Sequence, residues 1–492
     1  MDILKELNEK QREAVIHKEG PILVLAGPGT GKTKVITHRV VYLIREYSVE
    51  PQNILAVTFT NRAAQEMRDR ISRADMLGPE HAEDVWIDTF HAASVGILRE
   101  NAEDCGLNPN FAIFDQELQE EILEECIRDL RLSTERYPIW SVRDIISYYK
   151  ARCVDPSEVP PEKIPIHEDE FPIEEEEKRE IYQRDIVEII GAYQSKLSKY
   201  GALDFDDLIT TAVKMLSDFS EVREKYSQNL HYILVDEYHD INAAQYELLN
   251  LLCGNRKNVM VVADDDQSIY SWRGSDPAYI DHFKEDFSPK IVELEEHYRS
   301  TQTILNAAQA LIEHNTRRKT GKLTTNRSED YPIHHYIFED VDSEIEYIIK
   351  IIQKIHRELH RGHNEIAVFY RRHWLAERLE TELRKANIPV IRVQSKNSSA
   401  EGYIQSIMAY LNMLKWNLDK DIELAINFPQ RLIDQFTMTK LKWLSRHEGL
   451  TLGELFQNIE ITRTKLTLLL TKISKNLSMR LNSSKARLMK MN

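Results

Sequence analysis

Five apolar residues, Ile22-Leu23-Val24-Leu25-Ala26, run straight into Gly27-Pro28-Gly29-Thr30-Gly31-Lys32-Thr33. A short apolar run bounded by polar residues reads as a strand buried on both faces. The glycines allow a tight reversal after it, and Lys32-Thr33 opens a helix-period segment. This is the phosphate-loop pattern A/G-x-x-x-x-G-K-S/T, with Ala26 where the first Gly often stands. Backbone N–H groups of such a loop, with the helix N-terminus behind them, cradle phosphates. The stretch from Ala26 through Gly27, Pro28, Gly29, Thr30 and Gly31 to Lys32 and Thr33 is therefore the expected nucleotide loop. Lys32 is expected to reach the β- and γ-phosphates and Thr33 to ligate Mg²⁺.

A hydrolytic site of this kind needs carboxylates on a neighbouring strand. Tyr232-Ile233-Leu234-Val235 ends in Asp236-Glu237. Asp236 is expected to hold Mg²⁺, and Glu237 to activate the attacking water. An Asp-Glu after an apolar strand is common by itself; beside a phosphate loop it points to nucleoside triphosphate hydrolysis.

The 492 residues suffice for three or four domains. Gly and Pro together number 32, well under the usual share of about 12 %, which favours long helices over a turn-rich all-β fold. Ile54–Val57 and Val259–Ala263 are further strand candidates, and helix-period segments between them indicate α/β architecture. From Cys105 to Tyr200 helical patterns dominate (Gln116–Leu130, Ile181–Tyr200), around an acidic stretch with five prolines from Pro156 to Pro172. That stretch reads as a solvated loop in an inserted helical domain. Ile291–Leu294, Ile366–Tyr370 and Pro389–Val393 are the strand candidates of a second α/β block, and the chain turns helical again near Ser398. From Ile461 to Asn492 there are five Lys, three Arg and no acid, as in a solvated basic arm.

No run of about 18 apolar residues is present, so no membrane span is expected. The start, MDILKELNEKQ, lacks an apolar signal segment; the expected location is cytoplasmic. The formal charge of −16 argues only weakly against nucleic acid, because binding needs a local basic groove. Cys105, Cys126, Cys153 and Cys253 are too widely spaced for a disulfide framework or metal cluster. His356, His360 and His363 sit at helical spacing, but the interleaved Lys354, Arg357 and Arg361 favour a solvated cationic face over a metal clip. Asp204, Asp206 and Asp207 resemble a nuclease carboxylate set; a structural role is the favoured reading.

Seven strings, in order, resemble the UvrD/Rep/PcrA-type superfamily 1 helicases. Leu7-Asn8-Glu9-Lys10-Gln11 is similar to the adenine-reading Q motif. Ala56-Val57-Thr58-Phe59-Thr60-Asn61-Arg62-Ala63-Ala64 resembles motif Ia and Asp88-Thr89-Phe90-His91 motif Ic. Leu203-Asp204-Phe205-Asp206-Asp207-Leu208 resembles the string before motif II, and Val235-Asp236-Glu237-Tyr238-His239-Asp240 motif II itself. Ala263-Asp264-Asp265-Asp266-Gln267-Ser268-Ile269-Tyr270-Ser271-Trp272-Arg273-Gly274 resembles motif III, and Leu294-Glu295-Glu296-His297-Tyr298-Arg299-Ser300 motif IV. The similarity covers roughly residues 1 to 450.

The resemblance implies a P-loop α/β fold with two RecA-like lobes, each carrying a helical insertion, the second lobe incomplete. The corresponding spans are 1–104 and 201–290 for the first lobe, 105–200 for its insertion, 291–396 for the second lobe and 397–492 for its helical domain. It implies ATP and Mg²⁺ as cofactors. Gln11 would read adenine with Arg39 nearby, Tyr298 would stack on the base, Arg299 would contact the γ-phosphate, and Gln267 would sense it. Phe59, Tyr270 and Trp272 would stack on single-stranded bases, since aromatic stacking grips without sequence preference; Phe59 also reads as a core aromatic at a strand end. Asn61, Thr89, His91 and Arg273 would hold or position the strand, and Arg371 would contact DNA from the second lobe. The implied activity is a 3′-to-5′ ATP-dependent DNA helicase of repair or replication restart, acting on single-stranded and tailed duplex DNA. An ATP-binding single-strand-binding module without motor activity is the rival, and an RNA-directed relative fits the same motifs.

Four positions depart from the family pattern. His239 stands where Gln is usual, which predicts altered or pH-sensitive coupling between the two ligand sites. His297 and His373 stand where Asn is typical, and Arg62 replaces Lys. Motifs V and VI, with the second arginine finger, have no counterpart here. A chain so truncated is expected to bind ATP·Mg²⁺ and single-stranded DNA but to unwind duplex poorly.

Overall fold

The computed structural model describes residues 3–165, 176–271, 274–315, 321, 323–327, 331–392, 398–415, 419–426 and scattered positions from 428 to 455. The chain divides into two compact units, residues 1–333 and 334–492.

The first unit is built on six parallel strands: β1 (Ile22–Ala26), β2 (Ile54–Thr58), β3 (Trp86–Thr89), β6 (Tyr232–Val235), β7 (Val259–Ala263) and β8 (Lys290–Leu294). Their order across the sheet is β3-β2-β6-β7-β1-β8. Alternate side chains leave a strand on opposite faces, and the cores follow that period. Leu23, Leu25, Leu55, Val57, Ile233, Val235, Val259 and Val261 enter one cluster, with the helices Phe205–Asp218, Ala243–Cys253 and Ala278–Phe287. Ile22, Val24, Ile54, Ala56, Leu234, Met260 and Val262 enter the other, with Lys32–Tyr47 and Asn61–Ile71. Burial on both faces is why these strands read as unbroken apolar runs.

β8 corrects one sequence expectation. Ile291–Leu294 was read as the start of a second α/β block, yet Ile22–Ala26 pairs in register with Lys290–Leu294. Its alternation explains the misreading: Val292 and Leu294 are buried while Lys290, Ile291 and Glu293 are exposed, as suits an edge strand.

Between β3 and β6 the chain makes the helical insertion. Helices Gln116–Asp129, Ile139–Lys150 and Glu176–Tyr200 lie between two short strands, β4 (Ala112–Phe114) and β5 (Ala202–Asp204), which pair in parallel. Three residues each are too few to show a period, so these strands escaped the sequence reading. Part of the proline-rich acidic stretch, residues 166–175, lies outside the described residues. At the root of the insertion, Asp204 caps helix Phe205–Asp218 in a reciprocal capping box with Asp207. Lys150 Nζ lies 2.7 Å from both carboxylates, and the hydroxyls of Tyr193 and Ser147 donate to Asp204 and Asp206. The aspartate cluster is thus structural.

In the second unit, helices Val341–Glu358 and His373–Lys385 share a small core of Ile352, Leu383 and Ile388. Ser398–Lys415 and Asp419–Ile426 follow. Ile366–Tyr370 and Pro389–Arg392 form no strand ladder among the described residues, unlike the sequence expectation; the basic segment after Ile461 lies outside them. No described helix is long and apolar enough to cross a membrane.

Candidate functional site

In a parallel sheet the loops after all strands emerge at one edge, and ligands bind there. The loops after β1, β6, β7 and β8 therefore converge, and they enclose a cleft of about 350 Å³. Gly29, Lys32, Thr33, Glu237, Gln267, Tyr298 and Arg299 line it. Gly29 and Gly31 have φ of 71° and 93°, which the reversing loop requires and which a Cβ would strain. Helix Lys32–Tyr47 begins directly behind them.

Lys32 is 9 % exposed and lies 3.5 Å from Glu237 Oε2 and 3.4 Å from Asp264 Oδ2. Thr33 Oγ1 donates to Asp236 Oδ2 at 3.3 Å. Burial, and then the neighbouring Glu237, push the Asp236 carboxyl well above the usual range. Glu237 itself takes φ 50°, a left-handed backbone uncommon for a residue with a side chain. Its Oε2 is buried with no hydrogen-bond partner among the described residues. A crowded, under-neutralised carboxylate set beside a hydroxyl is a donor set that suits a hard divalent cation, so these residues fit Mg²⁺.

Two side chains, one of them buried, join the carboxylates to the loop after β7. Gln267 Nε2 donates to Asp264 Oδ2, the oxygen that also faces Lys32. His239, 2 % exposed, accepts the Asp264 N–H on Nδ1 at 3.1 Å, and Ser268 Oγ donates to the His239 carbonyl at 3.3 Å. Burial, reinforced by Lys32, drives the His239 pKa down to about 3. A ring held neutral in this way argues against pH-sensitive coupling through this position.

Gln11, also buried, donates from Nε2 to the Thr30 carbonyl at 2.8 Å while Oε1 accepts from Asn8 N–H. It braces the phosphate loop from helix Glu9–Ile16. Tyr298 is half exposed at the cleft mouth, hydrogen-bonded to Asn8 and Glu296. Arg39 departs from expectation. It is 1 % exposed and donates to the carbonyls of Ala14, Val15 and His17, ending helix Glu9–Ile16 instead of lining the cleft. An arginine on the buried face of helix Lys32–Tyr47 satisfies the nearest orphan carbonyls.

The loops after β2 and β3 leave the same edge further along. Phe59 and Tyr270 stack with ring centroids 4.8 Å apart and 28° between planes. Asn61 is exposed at the start of helix Asn61–Ile71; Thr89 is spent capping helix Phe90–Glu100 through the Ala92 N–H. His91 sits edge-on to the half-exposed Phe205. Trp272 and Arg273 lie outside the described residues. Arg371 is exposed in the second unit.

The sequence reading missed Arg70 and Lys34, which also line the cleft, and the pivotal place of Asp264. Nothing in helical periodicity singles out Arg70. Asp264 carried a signal: it directly follows β7, and β7 pairs with the loop-bearing β1.

The model of the UvrD/REP helicase N-terminal domain matches residues 7–288, and that of the UvrD-like helicase C-terminal domain residues 292–484. The chain belongs to the UvrD/REP helicase family. The second match runs past residue 450, where the similarity legible from motifs faded. The ATP-dependent DNA helicase PcrA of Leuconostoc citreum is 36 % identical over 458 residues, 92 % of this chain and 59 % of that protein. PcrA of Staphylococcus epidermidis (strain ATCC 12228 / FDA PCI 1200) is 35 % identical over 461 residues, 93 % and 60 % of the two chains. PcrA of Staphylococcus aureus (strain COL) is 35 % identical over 443 residues, 89 % and 58 %. The chain thus spans about three fifths of the length of these UvrD/REP relatives.

Proposed function

We propose that this chain carries the ATP-dependent motor chemistry of a DNA helicase, translocating on single-stranded DNA with 3′-to-5′ polarity. The observation that carries the reading is the shared sheet edge: the cleft around Lys32 and Glu237 and the stacked Phe59–Tyr270 pair are joined through the loop Asp264–Tyr270. ATP occupies the cleft, with Tyr298 on the base and Arg299 at the γ-phosphate. Lys32 leaves its two carboxylates for the phosphates. Glu237 takes the proton of the attacking water; its buried Oε2, which accepts no hydrogen bond and has a long contact to Lys32, suits a base once Lys32 turns to the phosphates. Thr33 and Asp236 would hold Mg²⁺, which would supply neutralisation of the phosphate charge. Once Lys32 moves, Asp264 loses its counter-ion and depends more heavily on the Gln267 amide bonded to the same oxygen, which shifts the loop that carries Gln267. Tyr270 lies three residues on, so the rearrangement reaches the base-stacking surface through a continuous loop. A repair or replication-restart role accords with the resemblance.

The test is ATP turnover with and without oligo-dT. Turnover raised by oligo-dT in the wild type and lost in Lys32→Ala supports the motor reading. Nucleotide binding with no turnover on any single strand favours the binding-module alternative, and stimulation by oligo-rU over oligo-dT favours RNA.

A further inference from the structure

The residue at 297 does something that its neighbours' roles do not explain. The His297 ring is 3 % exposed and bridges two backbones. Nδ1 is within hydrogen-bond reach of the Pro28 carbonyl, and the Ser300 N–H donates to Nε2 at 2.6 Å. A carbonyl only accepts and an N–H only donates, so the ring is the neutral tautomer with its proton on Nδ1. The ring crowds Gly29, where an added Cβ would stand 2.3 Å from Cε1 and 2.6 Å from Nδ1. The Tyr298 N–H donates to the Gly29 carbonyl at 3.0 Å, and the His297 N–H to the Thr324 carbonyl at 2.7 Å. The turn carrying Tyr298 and Arg299 is therefore stitched to the phosphate loop on both sides of those residues.

We propose that His297 is a positioning residue that locks the Tyr298–Arg299 turn onto the phosphate loop and so sets discrimination between nucleoside triphosphate and diphosphate. The inference rests on reading Arg299 as a γ-phosphate contact. An asparagine, the usual residue here by resemblance, is shorter and bridges the two backbones less fully. Imidazole also brings a proton-sensitive element that an amide lacks. A second ring proton would face the Ser300 N–H, donor against donor, and open the lock. The groups packed on the ring from the phosphate loop and from Thr324 are uncharged, and Arg299 is the nearby charge acting on it. Burial first, and then Arg299, hold the ring's pKa below the ordinary value against the opposing Pro28 carbonyl, so the lock is closed at neutral pH and opens only as pH falls through that lowered value.

The experiment measures equilibrium binding of fluorescent ATP and ADP analogues to the full chain between about pH 5.5 and 8. The variants are His297→Ala, His297→Asn, His297→Gln and Arg299→Ala, with folding checked by circular dichroism. The wild type is expected to prefer the triphosphate and to lose that preference toward the acid end. His297→Ala should lose about tenfold in triphosphate affinity, the scale of one to two buried hydrogen bonds, with diphosphate affinity changed by about twofold or less. His297→Asn should keep part of the preference, and all three His297 variants should flatten its pH profile. Should His297→Ala not fold, the Asn and Gln variants carry the comparison. A wild-type preference and pH profile in the His297 variants, with the preference lost in Arg299→Ala, overturns the role of His297 alone. Unchanged preference in Arg299→Ala overturns the underlying reading of Arg299 and the proposal with it.

Discussion

Two lysines in the first unit are each buried between two carboxylates, and they differ in how tightly they are held. Lys150 sits 2.7 Å from both Asp204 and Asp207, with Tyr193 and a capping box completing the set. Lys32 sits 3.5 and 3.4 Å from Glu237 and Asp264, and one of those carboxylates keeps a buried oxygen without a hydrogen bond. The first cluster is closed: both carboxylates lie in short contact with Lys150, even though burial and Asp204 push the Asp207 carboxyl up to about 7, and it ties the helical insertion to the sheet. The second is loosely balanced, so its lysine can exchange carboxylates for phosphates at little cost. A buried charge cluster with short contacts marks structure, and one with long contacts and an oxygen that accepts no hydrogen bond marks a site that a ligand completes.

The largest test is chemical. Glu237→Gln should keep nucleotide binding but lower turnover by about 10²–10⁴-fold, the usual worth of a general base. Lys32→Ala should abolish binding itself. Equal loss of affinity in both would show that the loose cluster is structural after all.

The second test exchanges the expected stabilities. Lys150→Met leaves Asp204 and Asp207 buried without their counter-ion and should destabilise the chain by about 3–5 kcal/mol in urea unfolding. Lys32→Met should cost far less, because its carboxylates are poorly matched to begin with. A reversed order would break the comparison.

The Asp236 carboxyl gives a test with a sign. Its folded pKa is raised above the unfolded value, so the folded state binds more protons between the two. Stability from this group is therefore present at low pH and lost as pH rises from about 4 toward neutrality. Asp236→Asn should raise the melting temperature of the nucleotide-free protein at pH 8 more than at pH 5, while removing Mg²⁺-dependent turnover. No pH-dependent gain would mean that the carboxylates are better compensated than their spacing indicates.

On the DNA-facing side, Tyr270→Ala should weaken oligo-dT binding by about 1–3 kcal/mol and leave ATP affinity nearly unchanged, measured by anisotropy. If ATP affinity falls equally, Tyr270 serves the cleft through Asp264–Gln267 instead. The smallest expected effect is at His239. Its ring is neutral at every ordinary pH, so His239→Gln should leave the pH profile of DNA-stimulated turnover unchanged.

The loose cluster was nearly legible in the sequence, because loop chemistry is local. A glycine loop before Lys32-Thr33 and a strand ending in Asp236-Glu237 state their roles within a dozen residues. The tight cluster was not: Lys150 meets Asp204 across more than fifty residues of insertion, and no local pattern encodes that meeting. Arg39 failed for a related reason. A motif reading sees an arginine near an adenine-reading glutamine, whereas the three backbone carbonyls that capture it belong to another helix's end. β8 was recognised as a strand but assigned to the wrong sheet, because hydropathy reports burial and is silent about which neighbour provides it.

The position of β1 has a consequence for how the chain is made. Both of its partners come late: Ile22 pairs with Met260 and with Lys290. At typical synthesis rates of about 5–20 residues per second, the first ladder partner emerges roughly 12 to 48 s after β1 itself. During that interval an entirely apolar five-residue strand has an open edge on each side, the kind of segment that pairs with other chains. Residues 105–200 and their neighbours can pack among themselves meanwhile, but the phosphate loop has no sheet to stand on. Nucleotide can therefore stabilise only chains already extended past β7 and β8, and slowing translation between residues 26 and 259 should raise aggregation of the nascent protein more than slowing it after residue 294.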